Sequence, residues 1–339
     1  MLILGIESSC DETAAAVVEN GHKALSDVIS SQVEIHARYG GIVPEVASRQ
    51  HLLEISPVIQ KALDQAEITL DDIDAVAVTR GPGLIGALMV GINMAKSIAY
   101  SRDLPLIGIH HLEGHTYAAW LEYSDPAIDP GFPLIVLIAS GAHTDLILME
   151  GHGKYEFLGR TRDDASGEAF DKAARVLNLG FPGGPAIQKI SENVVPTFKF
   201  PRAWLKGSYD FSFSGLKTAV LHKAQDSLIY PYSEDTYDLQ KVSEIAAAFQ
   251  ESVVDVISYK AAEAVAKYHA KGLILGGGVS ANTPLRIACK ERSSAPVLIP
   301  SPKLCTDNGS MIATVAYYRL MNGETHDLDM DANPNLSLE

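Results

Sequence analysis

The chain has 339 residues, 47% hydrophobic and 20% charged, a normal globular balance in a chain too long for one ordinary core. Its 27 lysines and arginines against 42 acidic residues give a net charge of −15, which argues against general affinity for nucleic acid because phosphate contacts need basic side chains. No apolar run approaches the ~18 residues of a membrane span, the N-terminus MLILGIESSCDE lacks a signal peptide's basic region, and Cys10, Cys289 and Cys305 show no CxxC spacing, which together suggest a reducing, cytoplasmic setting.

In chain order, Leu2–Gly21 reads as two apolar runs joined by a loop of small polar residues and closed by a glycine turn. Ser48–Ala66 is predicted as a helix broken or kinked at Pro57. Asp74–Thr79 reads as a buried strand, Leu84–Arg102 as an apolar helix and Leu106–Ile109 as another strand, with one or two helical turns from Glu113. Residues 124–132 carry two prolines and a glycine and are taken as the lobe boundary. Leu134–Gly153 then repeats the pattern of the first hairpin, which suggests a duplicated lobe with two small-residue loops facing a shared cleft. Helices are predicted at Glu168–Leu177, Lys241–Tyr268 and Asn308–Met321, and a strand at Leu273–Leu275. Alternating strands and helices imply sheets covered by helices.

Several motifs carry candidate chemistry. GPGLIG, Gly81 to Gly86, matches GxGxxG, but the next strand ends in Ile109-His110 without the acid that grips a ribose, so a tight turn is expected. HHLEGH places His111 and His115 four apart, within ~40° on a helix, where they can chelate one ion. Glu113 is two residues from each, about 200° around the helix, so the glutamate a metalloprotease needs is absent. A third ligand is sought in CTDNGSMIA, where Asp307 is either that ligand or a helix N-cap. A two-histidine, one-carboxylate set suits Fe2+ or Zn2+. GGGVSAN (276–282) and FPGGP (181–185) are glycine loops open to a flat or charged group, with Asn282 and Asp171 beside them as hydrogen-bonding residues. Residues 198–223 hold Lys199, Arg202, Lys206, Lys217 and Lys223 against Asp210 alone, interleaved with aromatics: a polynucleotide contact or an ordinary surface hairpin.

GIESSCDET, GGIVPEVASRQH, GPGLIGALMVG, HHLEGH, ASGAHT, GEAFDKAA, FPGGP, FSFSGLKT, GGGVSAN and CTDNGSMIA occur in this order, and the chain to about Met321 thereby resembles the TsaD family, formerly called Gcp. The resemblance implies an α/β fold of the actin/Hsp70/sugar-kinase (ASKHA) type. The lobes would be 1–125, completed by a C-terminal helix at 308–321, and 126–307 with a helical insertion, followed by a tail at 322–339. It implies transfer of threonylcarbamoyl from threonylcarbamoyl-AMP to N6 of the adenine 3′ of the anticodon in tRNAs reading codons that start with A. Matched to the family's motifs, His111, His115 and Asp307 would bind one divalent metal, Fe2+ ahead of Zn2+. Ile138, Ala139, Ser140, Gly141, Ala142, Asp171, Gly184 and Asn282 would contact the substrate, and Glu12 is the candidate base. Expected partners are tRNA, a smaller ASKHA paralogue forming a heterodimer and a P-loop ATPase, with no membrane. Two positions depart from the family pattern: Ala142 stands where glycine is usual, and Gln188 where many relatives carry an acid. An alanine at 142 would be strained if that backbone needs positive φ. The rivals are a small-molecule kinase, disfavoured because ASGAHT offers no aspartate to a metal–nucleotide, and a non-catalytic scaffold, which has no use for HxxxH with a distant aspartate.

Overall fold

The strands Leu2–Glu7 (β1), Leu134–Ala139 (β6) and Gly272–Gly276 (β9) are buried almost throughout. Strands covered on both faces are apolar at successive residues, which is why LILGIE, LIVLIA and GLILG do not alternate. The computed structural model describes residues 1–122 and 130–338 and divides the chain into two units, Met1–Asp129 with Lys303–Glu339, and Pro130–Pro302.

Unit 1 contains β1, β2 (Glu12–Glu19), β3 (Lys23–Ser31), β4 (Ala75–Gly81) and β5 (Leu106–His110) in the order β3-β2-β1-β4-β5. β2 runs antiparallel to β1 and β3, whereas β1, β4 and β5 are parallel. Its helices are α1 (Val33–Ala37), α2 (Pro44–Gln65), α3 (Ile85–Arg102) and α4 (His111–Tyr117). Ile55, Val58, Ile59 and Leu63 of α2 and Leu88, Ile92 and Ala95 of α3 pack with Leu4, Ile6, Val76 and Val78 of the sheet in one core.

Unit 2 repeats the plan. β6, β7 (Thr144–Gly151), β8 (Lys154–Arg160), β9 and β10 (Val297–Leu298) lie in the order β10-β9-β6-β7-β8. β7 is antiparallel to β6 and β8, and β9 is parallel to β6 and β10. Its helices are α5 (Ser166–Val176), α6 (Gly183–Ile190), α7 (Ser214–Asp226), the 29-residue α8 (Leu239–Lys267) and α9 (Thr283–Arg292). The chain then passes through α10 (Pro302–Cys305) and returns to unit 1 as α11 (Gly309–Met321). There α11 lies against β1 and β2. A Cβ on Gly5 would come within 2.3 Å of the Gly309 carbonyl oxygen, and one on Gly309 within 2.5 Å of the Ala16 nitrogen, so both close approaches need glycine.

The duplicated hairpins and the mixed α/β architecture are as expected, and the helices at 84–102, 168–177, 241–268 and 308–321 are found within two residues. α2 is not broken at Pro57. Pro57 and Leu53 are both exposed, so the Leu53 carbonyl that loses its intrahelical partner meets water. The segment 124–132, where the boundary is predicted, lies largely outside the described residues. Residues 198–223 form no hairpin. Phe200, Phe211 and Phe213 are buried in the unit 2 core, the stretch from Ser214 is α7, and Arg202 is held by Glu251 and Asp255.

Candidate metal centre

A helix of seven residues is too short to be stable on propensity alone, and α4 is held by its surroundings. It leaves directly from the C-terminal end of β5, and His110 caps it, Nδ1 accepting the Leu112 N–H at 3.1 Å. One turn apart on α4, the His111 and His115 rings meet edge to face with centroids 4.7 Å apart. Asp307 lies in the link between α10 and α11. It is not the cap of α11, because the Asn308 side chain accepts the Met311 N–H at 2.8 Å. Asp307 Oδ1 stands 3.1 Å from His115 Nε2 and 3.6 Å from His111 Nε2. One donor atom from each of the three residues lies within 4.8 Å of the others, the spacing of a set that can hold one ion. Two imidazoles and a carboxylate, leaving coordination positions open, fit a divalent transition metal.

Around this triad the charges are densely set. Glu7, fully buried at the end of β1, accepts the Ser9 N–H and the Thr79 hydroxyl, both at 2.5 Å, and faces His111 Nδ1 at 3.1 Å. Burial alone would raise the Glu7 carboxyl, but the His111 charge and the hydrogen bonds from His111 and Thr79 hold it below the usual range. Burial would likewise lower His111, yet Asp307 and Glu7 outweigh it and push the imidazole up to about 9. Glu12, at the start of β2, is pushed up to about 10, first by burial and then by Asp307 and Asp11. A divalent cation among these groups reverses that logic by favouring their deprotonated forms. Burial also raises the Cys10 thiol far above its ordinary range, so Cys10 is no ready nucleophile. Glu113 points away, fully buried, and Arg319 of α11 donates to it at 2.6 and 3.0 Å. A carboxylate locked in that pair cannot serve as a protease base.

In unit 2 the residues expected to contact substrate lie at the C-terminal end of β6, in the loop after it, at the starts of α6 and α9 and, for Asp171, in the middle of α5. The side chains of Ile138 and Ala139 are buried, and both residues pair with β7. The loop after them is tight: Ser140 N–H donates to the His143 carbonyl, Ser140 Oγ accepts the His143 N–H, and Gly167 N–H donates to the Ser140 carbonyl. Ala142 is exposed and does not have positive φ, so its methyl carries no strain. Gly277 does have one, φ +85, and a Cβ there would meet the Ala139 carbonyl oxygen at 2.6 Å. Asp171 accepts the Gly183 N–H at 2.7 Å, tying α5 to α6, and Gly184 borders open space. The Asn282 amide is engaged within the chain, Oδ1 capping α9 at Leu285 and Nδ2 donating to Gln250. Gln188 accepts the Thr283 N–H at 2.8 Å.

The sequence profile described as "TsaD: tRNA N6-adenosine threonylcarbamoyltransferase" matches residues 23–314. The chain belongs to the TsaD family. A curated protein of that name from Dehalococcoides mccartyi (strain CBDB1) is 53% identical over 338 residues, covering 100% of this chain and 99% of its own. One from Bacillus cereus (strain ATCC 14579) is 49% identical, covering 100% and 97%. Among solved structures, HypF of T. kodakarensis aligns with TM-score 0.62 at 14% identity, over 95% of this chain and 48% of that one. The (R)-2-hydroxyglutaryl-CoA dehydratase component A of Acidaminococcus fermentans aligns with TM-score 0.56 at 14% identity, over 95% and 99%. At such identities these two likenesses speak for the fold, which is of the ASKHA type.

Two residues outside the TsaD profile match flank the candidate metal centre: Glu7 and Ser9, whose hydroxyl lies 3.2 Å from His111 Nδ1. Neither was singled out from the sequence. The available signal was a glutamate closing an apolar strand, since a buried carboxylate at a strand end needs a cationic or hydrogen-bonding partner. Arg319 was missed as well, although a glutamate on the inner face of a short apolar helix calls for one. Among the described residues, His115 Nδ1 is buried without a hydrogen-bond partner, a penalty of about 1–3 kcal/mol of the kind functional sites carry.

Proposed function

We propose that this protein transfers threonylcarbamoyl from threonylcarbamoyl-AMP to N6 of the adenine 3′ of the anticodon in tRNAs reading codons that begin with A. One observation carries the reading: in a chain of the TsaD family, two histidines on α4 and an aspartate almost 200 residues later come together as a metal-ligating set. In the reaction the N6 amine attacks the carbamoyl carbon. The bond from that carbon to the phosphate oxygen breaks, AMP leaves, and the N6 proton passes to the departing phosphate or to water. A divalent ion held by His111, His115 and Asp307, with Fe2+ ahead of Zn2+, would supply Lewis-acid polarisation of a donor oxygen. Glu7 orients His111 so that Nδ1 donates to the carboxylate and Nε2 is free to ligate. In unit 2, backbone N–H groups around 138–142, 183–184 and 276–278 suit an anionic donor. The net charge of −15 makes tRNA capture a shared task, and the reading includes a smaller ASKHA paralogue and a P-loop ATPase as cytoplasmic partners.

Nucleoside mass spectrometry of tRNA tests this. Cells depleted of the protein are complemented with wild type or His115→Ala. Wild type restores threonylcarbamoyladenosine and the variant does not. Failure of wild type removes the transferase reading, and full restoration by the variant removes the metal from it.

A further inference from the structure

The segment 326–336 follows α11 and runs along β5, the edge strand of the unit 1 sheet. His326 N–H donates to the Leu106 carbonyl at 2.7 Å, and His326 Nδ1 accepts the Gly108 N–H at 3.2 Å. Met330 is buried over Gly108, where a Cβ would come within 2.4 Å of its sulfur. Farther on, Asn333 N–H donates to the Arg80 carbonyl and Gly83 N–H to the Pro334 carbonyl. The segment therefore pairs and covers a sheet edge that would otherwise expose backbone groups. It then does something edge protection does not require. The Leu336 carbonyl lies 3.0 Å from Nε2 of His110, whose ring is almost fully buried.

A carbonyl oxygen only accepts, so Nε2 of His110 must carry the proton. In the neutral ring Nδ1 is then the acceptor, and Nδ1 is the atom that accepts the Leu112 N–H and caps α4. The opposite tautomer would set two donors, Nδ1–H and the Leu112 N–H, against each other at the first turn of the helix that presents His111 and His115.

We propose that residues 326–336 form a strap that sets the metal-binding helix: the Leu336 carbonyl holds His110 in the Nε2–H tautomer, and His110 so held caps α4 and fixes the positions of His111 and His115. His110 is thus a positioning residue and not a ligand. The proposal rests on the metal reading of His111, His115 and Asp307, but its first half, from strap to cap, stands without an ion. The TsaD profile match ends at residue 314, short of the strap.

The test uses the full chain, a chain ending at Asn333 and a chain ending at Ser337, each with His110, His110→Ala or His110→Asn. Two quantities are measured: amide exchange at Leu112 without metal, and affinity for Co2+ read by its absorbance. Ending the chain at Asn333 is expected to speed Leu112 exchange at least tenfold and weaken Co2+ binding about tenfold, while the chain ending at Ser337 matches the full chain. His110→Ala reproduces the loss in the full chain. In His110→Asn the amide oxygen caps Leu112 without help from Leu336, so both quantities recover and removing residues 334–339 costs nothing further. The proposal is overturned if the shortened chain keeps full Leu112 protection, or if the truncation costs as much with His110→Asn as with His110, which is the mark of edge protection alone. A full chain that binds no Co2+ overturns the positioning of ligands and the metal reading together; faster Leu112 exchange on truncation would still support the strap's hold on His110.

Discussion

The two units use one strand plan for opposite chemistry. At the last paired position of the first hairpin stand Glu7 and Ala14, and at the corresponding position of the second stand Ala139 and Thr144. One step back, Ile6 pairs with Ala15 and Ile138 with Asp145. In unit 1 the strand end carries a buried carboxylate 3.1 Å from His111 Nδ1, and the loop beyond it is acidic. In unit 2 the strand end is bare and its loop is a neutral backbone turn. The third parallel strand differs as well. β5 runs straight into the helix that carries His111 and His115, whereas β10 has two residues. The same strand plan thus ends in a carboxylate beside the candidate cation site in unit 1 and in a small apolar residue in unit 2.

The contrast can be broken most strongly at its centre. His115→Ala is expected to abolish stoichiometric metal binding and to lower transfer activity by about 100-fold or more, read from single-turnover transfer to tRNA. Residual activity within tenfold of wild type would make the unit 1 cluster a structural device. Next comes Asp145, nearly buried opposite Arg160. Burial, offset in part by Arg160, pushes its carboxyl up to about 6. A carboxyl raised in the folded state favours folding below its unfolded value and loses that contribution as pH rises through the folded one. Asp145 therefore destabilises unit 2 above about pH 6, by at most about 3 kcal/mol. Asp145→Asn should raise the thermal midpoint at pH 7.5 and leave it nearly unchanged at pH 4. An equal shift at both values would show that Asp145 does not titrate with folding.

Smaller effects sharpen the same comparison. Glu7→Gln keeps the shape but drops the charge that fixes His111, and a loss of about 10–100-fold in Co2+ affinity is expected by titration. If affinity is unchanged, Glu7 is no more important to its unit than Ala139 is to the other. Smallest is Ala142→Gly. Since Ala142 needs no positive φ, restoring the glycine usual in the family relieves nothing and costs about 0.4–1 kcal/mol through the unfolded chain. Denaturant midpoints measure it, and stabilisation by the glycine would contradict the backbone geometry.

The frame was legible in the sequence because buried central strands are continuous apolar runs and the two hairpins repeat. The pair of histidines was legible because a helix brings positions four apart together, and Glu113 was correctly set aside by the same rotation. Asp307 stayed ambiguous until Asn308 proved to be the cap, a distinction between adjacent residues that periodicity cannot make. Phe200, Phe211 and Phe213 misled because aromatic residues among lysines look alike whether they face a core or a ligand. The segment 326–336 was unreadable: its contacts join single side chains to backbone groups distant in sequence, or backbone to backbone, and leave no periodic pattern.

The two imidazoles are made early and the carboxylate late, and all of unit 2 is translated in between. A chain that stops inside unit 2 therefore carries the two imidazoles of the candidate set without its carboxylate.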